Sequence, residues 1–385
     1  MRTKTLLTVV VALLLAVVPA WAQEPIRIGV PLSLTGPLAV NGEDNRKGIL
    51  LYLDEIGGKL AGRPVEIKVE DTEAKADVAL TKVRKLVELD RVHAVVGIIG
   101  SHEAYAVRDY VHQKGVPLVI TTAGANDVTL AKKSPYIFRV GNDNSQEPLV
   151  LGHYVATKLG YKKAIAIASN FAAGREETES FVKTFTQAGG QVLQQVFPPL
   201  GTPDFAPYIS QLKADQVDVT WAWFAGTEAA RIVKQLREYG INKPIVSQGA
   251  LTANVVLPLM GDAGLGIITA KHYSEILETP ENRRFFAAFM KKYNDRPDAW
   301  SEQAYVGIKA VGEAVKAVGG KVEDRERFLE ALRKTRFEGP AGLVWFDPNQ
   351  HRIMDVYIRR MEKTDGKYVN RVIDKIPNVG QNWTP

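Results

Sequence analysis

The residues able to do chemistry gather in a few loops. Ile99-Gly100-Ser101 and Thr121-Thr122-Ala123-Gly124-Ala125-Asn126 combine hydroxyl side chains with glycine and alanine, which leave backbone N–H groups accessible. Each follows a short apolar run, Ala94–Ile98 and Pro117–Ile120, that reads as a strand. In open parallel sheets, ligands sit beyond the carboxyl ends of strands. Ser101 directly precedes a helical stretch, so it reads as an N-cap, and the free N–H groups of a helix start favour an anion. With Gly100, Thr121, Thr122, Ala123 and Gly124 around it, this edge suits a carboxylate. The same hydroxyls could also satisfy local backbone and nothing else. A third loop, Thr35–Asn41, reaches the same edge and adds Asn41.

A second set of strand ends is aromatic: Asn170-Phe171-Ala172-Ala173-Gly174 and Trp221-Ala222-Trp223-Phe224-Ala225-Gly226. Successive strand residues point to opposite faces, so Trp223 and Phe224 cannot both belong to the same surface. One of them, with Phe171 and Tyr105, offers a flat apolar wall for a ring or a branched hydrocarbon.

Catalytic patterns fail. No phosphate-binding G-x-x-x-x-G-K-[ST], zinc-binding H-E-x-x-H or nucleophilic G-x-S-x-G occurs. The six histidines are scattered, and without cysteine there is no disulfide, thiol nucleophile, cysteine-ligated zinc or lipid anchor. The expectation is a binding protein, not an enzyme, with no metal and no cofactor. The net charge of +6 is spread in short basic clusters separated by acids, which excludes a nucleic-acid groove.

The elements that must position these loops alternate strand and helix. Ile26–Leu32, Val65–Glu70, Ala94–Ile98 and Pro117–Ile120 read as strands separated by helices, and the pattern restarts after Gly141. There Lys163–Ala168, Val192–Phe197, Val217–Phe224 and Ile245–Ser247 read as strands, and Phe205–Lys213 as a helix. Such alternation implies parallel sheets covered on both faces. A strand at Ile267–Ala270 precedes three helices, Glu281–Tyr293, Ser301–Val318 and Arg325–Lys334, and a hairpin turning at Thr364-Asp365-Gly366. Those helices should pack on the first unit and the hairpin on the second. The fold is then α/β, two doubly wound parallel-sheet lobes joined by three crossings near Val140–Asn142, Thr269–His272 and Phe346–Pro348. Lobe 1 is 23–141 with 271–347, and lobe 2 is 142–270 with 348–385. Residues 1–22, with Arg2 and Lys4 ahead of an apolar run and Ala20-Trp21-Ala22, read as a cleaved secretory signal. No later segment is apolar for long enough to cross a bilayer, so the mature protein is expected to be secreted and not membrane-embedded.

In sequence the chain resembles the type I periplasmic solute-binding proteins of ABC transporters, in the leucine/isoleucine/valine-binding family. The resemblance runs through IRIGVPLSLTGPLAVNGEDNRKGILLYLDEI, VVGIIGSHEA, GVPLVITTAGANDVT, YIFRVGNDN and GDAGLGIITAKHYSE. It implies a periplasmic protein whose one lobe holds a ligand carboxylate while the other closes over the side chain, and which docks on permease subunits. It also puts Ser101, Thr122 and Gly124 at positions contacting carboxylate and ammonium. Where amino-acid binders carry Thr this chain has Gly124, where they often carry Tyr it has Ala173, and where they carry an acid it has Gln248-Gly249. Burying an ammonium with no carboxylate partner costs several kcal/mol, on the order of a thousandfold in affinity. The implied ligand is an aromatic carboxylate, with Ala173 leaving room for a ring beside Phe171, Ala225 and either Trp223 or Phe224. A branched-chain or other hydrophobic amino acid, or a sensor presenting its ligand to a receptor, is the alternative.

Overall fold

A computed structural model describes residues 24–385; the secretory segment read at 1–22 lies outside the described residues. Near-continuous apolar runs make the central strands, because both faces of each sheet are covered. In the first sheet, β1 (Ile26–Leu32), β3 (Arg63–Asp71), β4 (Ala94–Gly97), β5 (Leu118–Ile120) and β6 (Ile137–Arg139) run parallel. The short β2 (Lys59–Leu60) pairs antiparallel at the edge, giving the order β2-β3-β1-β4-β5-β6.

The second sheet holds the parallel strands β7 (Lys163–Ala168), β8 (Gln191–Val196), β9 (Val219–Trp223), β10 (Ile245–Gln248) and β11 (Ile268–Lys271). A separate hairpin, β12 (Arg336–Gly339) with β13 (Gly342–Trp345), precedes the long antiparallel pair β14 (Met354–Thr364) and β15 (Lys367–Val379). That pair extends the second sheet in the order β15-β14-β11-β10-β9-β7-β8. Its turn residues Asp365 and Gly366 both have positive φ, 50° and 75°, as a two-residue turn matched to strand twist requires.

The late helices lie on the first sheet's side. In the helix Ala299–Ala317, Ser301 lies against the helix Ala39–Glu55 so closely that a Cβ on Gly48 would stand 2.2 Å from the Ser301 carbonyl oxygen. Asp44 Oδ2 accepts from the Ser301 amide at 2.8 Å, and Lys47 pairs with Asp295 at 2.6 Å.

Two local differences from the sequence-based expectation have physical reasons, and a third adds an element that the sequence pattern did not signal. Ile137–Arg139 is a strand too short to carry a periodic signal, added to the sheet through register with Leu118–Ile120. The helix expected over Phe205–Lys213 stops at Ile209. Beyond it the Gln194 side chain accepts from Lys213 N (2.9 Å) and donates to Gln211 O (3.1 Å), so a strand side chain replaces the helical bonds. The β12–β13 hairpin was not expected at all.

The chain passes between the sheets three times, over 140–145, 272–279 and 346–353. The first and last run side by side, with Arg352 N donating to Arg139 O (3.0 Å) and Arg139 N to Gln350 O (2.9 Å).

Candidate functional site

A narrow cleft of about 50 Å³ lies between the two sheets, beyond the carboxyl ends of their parallel strands, where open α/β sheets take ligands. Of the residues singled out in sequence, Asn41, Ser101, Thr122, Gly124, Phe171, Ala173, Trp223, Ala225 and Gln248 line it. Gly100, Thr121, Ala123, Tyr105 and Phe224 do not.

At the first-sheet end, the helix Ser101–Lys114 is capped by Gly100 and not by Ser101, which is its first residue. Gly100 N donates to Glu103 Oε2 at 2.6 Å, so the glycine serves its own helix. Ser101 Oγ accepts from Asn144 Nδ2 at 3.0 Å, which leaves its hydroxyl hydrogen available. The amide hydrogens of Ser101, Thr122 and Gly124 have no acceptor among the described residues. Asn45 joins the two threonines: its Oδ1 accepts from Thr121 Oγ1 (2.7 Å) and its Nδ2 donates to Thr122 Oγ1 (2.9 Å). Thr121 is therefore committed to the scaffold, and Ala123 is fully packed in the apolar core beside it. Gly124 has a steric reason. A Cβ there would stand 2.1 Å from Asn144 Oδ1, so the asparagine occupies the space a larger residue would need.

The opposite wall is apolar. Phe171 and Trp223 stand 5.5 Å apart at a 52° tilt, with Ala173, Ala225 and Ala250 beside them. Strand alternation separates Trp223 from Phe224, which turns into the core against Phe205 at 5.1 Å. The Trp223 indole Nε1, buried at the cleft, has no hydrogen-bond partner. Leu38, Ile99 and Trp300 add apolar surface from the first-sheet side.

The floor carries charges that sequence inspection did not single out. Lys271, at the carboxyl end of β11, lines the cleft with its ammonium 2.9 Å from Asn142 Oδ1 and 3.6 Å from Glu147 Oε2. Glu147 also accepts from His272 N (2.8 Å) and from the Gln248 amide, and its Oε1 lies 2.9 Å from His272 Nδ1. Burial pushes the Glu147 carboxyl up, but the Lys271 ammonium and the His272 contacts outweigh it and hold it at about 2. Glu177 lines the same cleft, is buried, and its Oε2 has no hydrogen-bond partner. Burial first, then repulsion from Glu147, drive its carboxyl well above the usual range despite Lys271. The position of Glu177 was legible: it follows Ala173 by one helical turn on Ala172–Gln187, hence on the same face. Lys271 ends the parallel strand β11 as Gln248, which the family resemblance singled out, ends β10 beside it.

Tyr105 has a different place. Its hydroxyl donates to Glu176 Oε1 at 2.6 Å, and Glu176 Oε2 accepts from Asn126 N and Asn144 Nδ2, each at 2.9 Å. These bonds join the helix Ala172–Gln187 of the second sheet's side to the loops and helix of the first. Among the described residues no cluster of three or more His, Asp or Glu has metal-holding geometry. The site can thus offer amides and hydroxyls at one end, aromatic faces along one side, and buried charge at the floor.

Residues 25–367 match the family described as periplasmic binding protein. The Leu/Ile/Val-binding protein homolog 6 of Brucella abortus is 30% identical over 389 residues, covering 98% of each chain. Among solved structures, an ABC transporter substrate-binding protein from Sphaerobacter thermophilus is 39% identical with a TM-score of 0.86, covering 93% of this chain and 99% of that one. A solute-binding protein of an ABC transporter from Rhodopseudomonas palustris, in complex with 3,4-dihydroxy benzoic acid, is 29% identical with a TM-score of 0.88 over the same shares.

Proposed function

The chain belongs to the periplasmic binding protein family, and on that premise we propose that it captures a small aromatic carboxylate and hands it to the permease subunits of an ABC importer. One observation carries this reading: the unpaired amides of Ser101, Thr122 and Gly124 share a cleft with the Phe171–Trp223 wall. A carboxylate supplies the acceptor oxygens those amides need, and hydrogen bonds to an ionised group are roughly twice as strong as neutral ones. A ring attached to it fills the space beside Trp223 that Ala173 leaves. The solute-binding protein from Rhodopseudomonas palustris, crystallised with 3,4-dihydroxy benzoic acid, supports this ligand class. In this reading the lobes are 23–141 with 271–347 and 142–270 with 348–385. Ligand bridging both lobes favours the closed state by the difference between its affinities for closed and open forms. The segment 1–22 directs the protein to the periplasm.

A hydrophobic amino acid is the second reading, favoured by Glu177, a carboxyl in the cleft where an ammonium could seek a partner. Lys271 counts against it, since a second cation on the same floor meets like charge. The test is a thermal-shift and calorimetric screen of benzoates, cinnamates and branched amino acids on the purified mature chain. Aromatic carboxylates should stabilise it; stabilisation by leucine or valine alone would overturn the ligand class.

A further inference from the structure

We propose that Glu177 and Lys271 form a second polar anchor in the cleft, one that takes an oxygen function, a hydroxyl or a second carboxylate, on the end of the ligand remote from the carboxylate held by the first-lobe amides. The inference rests on the ligand class proposed above and adds a selectivity to it. Three groups on the second-lobe and floor side can donate. The Lys271 ammonium has three hydrogens, of which Asn142 Oδ1 at 2.9 Å takes one, while Glu147 Oε2 at 3.6 Å is an ion-pair contact and not a hydrogen bond. The Trp223 indole N–H has no acceptor, and neither does Glu177 Oε2 have a partner. Gln248, the other polar side chain there, is consumed: its Oε1 accepts from Ala250 N at 2.7 Å and its Nε2 donates to Glu147.

Glu177 decides the sign of the group it meets. Glu147 and Asp143 face it from the helix Gln146–Thr157 and the crossing before it, Glu176 neighbours it, and Lys271 is the one cation acting on it. Surrounded by carboxylates and buried, it keeps its proton and donates. An unpaired donor left in a buried cleft loses about tenfold or more in affinity when its acceptor is missing. A ring ending in hydrogen or methyl would leave these donors without an acceptor; a ring ending in oxygen brings lone pairs to them.

The experiment is titration calorimetry of the mature chain near neutral pH. The ligands are benzoate, 3- and 4-methylbenzoate, 3- and 4-hydroxybenzoate, benzene-1,4-dicarboxylate and 4-(aminomethyl)benzoate. A hydroxybenzoate or the dicarboxylate should bind at least about tenfold tighter than the methyl analogues, and which of them does so identifies the oxygen that is taken. In Glu177→Leu and Lys271→Met that ratio should shrink towards unity; a ratio unchanged in both variants would overturn the assignment to these residues. Equal affinity for methyl and oxygen analogues in the unaltered chain would overturn the anchor while leaving the aromatic-carboxylate reading standing. Tightest binding of the aminomethyl compound would show an ionised Glu177 and overturn it as well. If no benzoate binds at all, the ligand class and the anchor fall together.

Discussion

Glu177 concentrates the residue-scale physics of the cleft. Its carboxyl is driven upward by burial and by neighbouring carboxylates, so the folded state binds a proton that the unfolded chain releases as pH rises past about 4.5. Its contribution therefore costs stability increasingly as pH climbs from that value. Glu177→Gln removes the titration, and its melting temperature should exceed that of the parent by more at about pH 8 than at about pH 5; an equal offset at both would contradict a protonated glutamate. Gly124 makes a steric prediction. Gly124→Thr must displace Asn144, whose Oδ1 would lie 2.1 Å from the new Cβ, and should destabilise by about 1–3 kcal/mol in chemical denaturation. Ser101→Ala deletes a hydroxyl whose hydrogen is free for an incoming carboxylate, and calorimetry should show affinity for the ligand reduced by about tenfold.

Between elements, one contact joins the two lobes and another braces the second sheet. The Tyr105–Glu176 bond at 2.6 Å links the helix Ser101–Lys114 to the helix Ala172–Gln187. Burial and the adjacent Glu176 both push the Tyr105 hydroxyl up, so it stays protonated and donates. Tyr105→Phe removes a bond present only when the lobes touch, and should weaken ligand binding by about tenfold, chiefly through faster dissociation measured by stopped flow. Glu147 ties the helix Gln146–Thr157 to the end of β11. Its carboxyl is depressed from 4.5 to about 2, so its stabilisation is complete above about pH 4.5 and is lost as pH falls through about 2. Glu147→Gln should lower stability near neutrality by on the order of 3 kcal/mol, with the melting curves of variant and parent converging at the acid end. Curves that stay parallel down to that limit would show that the Lys271 and His272 contacts do not hold this charge.

At the scale of the whole molecule, the proposed mechanism makes ligand binding and closure one equilibrium. Saturating aromatic carboxylate at about a hundred times its dissociation constant adds about 2.7 kcal/mol to stability, and small-angle scattering should show a smaller radius of gyration with ligand than without. An unchanged profile would remove hinge closure as the mechanism. Much of this architecture was readable in the chain: strand–helix alternation, glycine at turns and the Asp365-Gly366 hairpin are local signals, each decided by neighbours in sequence. The loop residues Ser101, Thr122 and Gly124, proposed to hold the carboxylate, were readable for the same reason, because they follow the ends of parallel strands. Local pattern could not assign Thr121 to Asn45, turn Tyr105 towards Glu176, or bring Glu177, Lys271 and Asn142 to one floor. Those residues come from separate elements, and what surrounds a charge is set by the packing of distant segments against it. The sequence by itself determined most of the elements, the order in which they wind and the loops whose amides stand at the strand ends. The tertiary structure decided which buried groups face one another, because burial and Coulomb energy depend on distance in space and not along the chain.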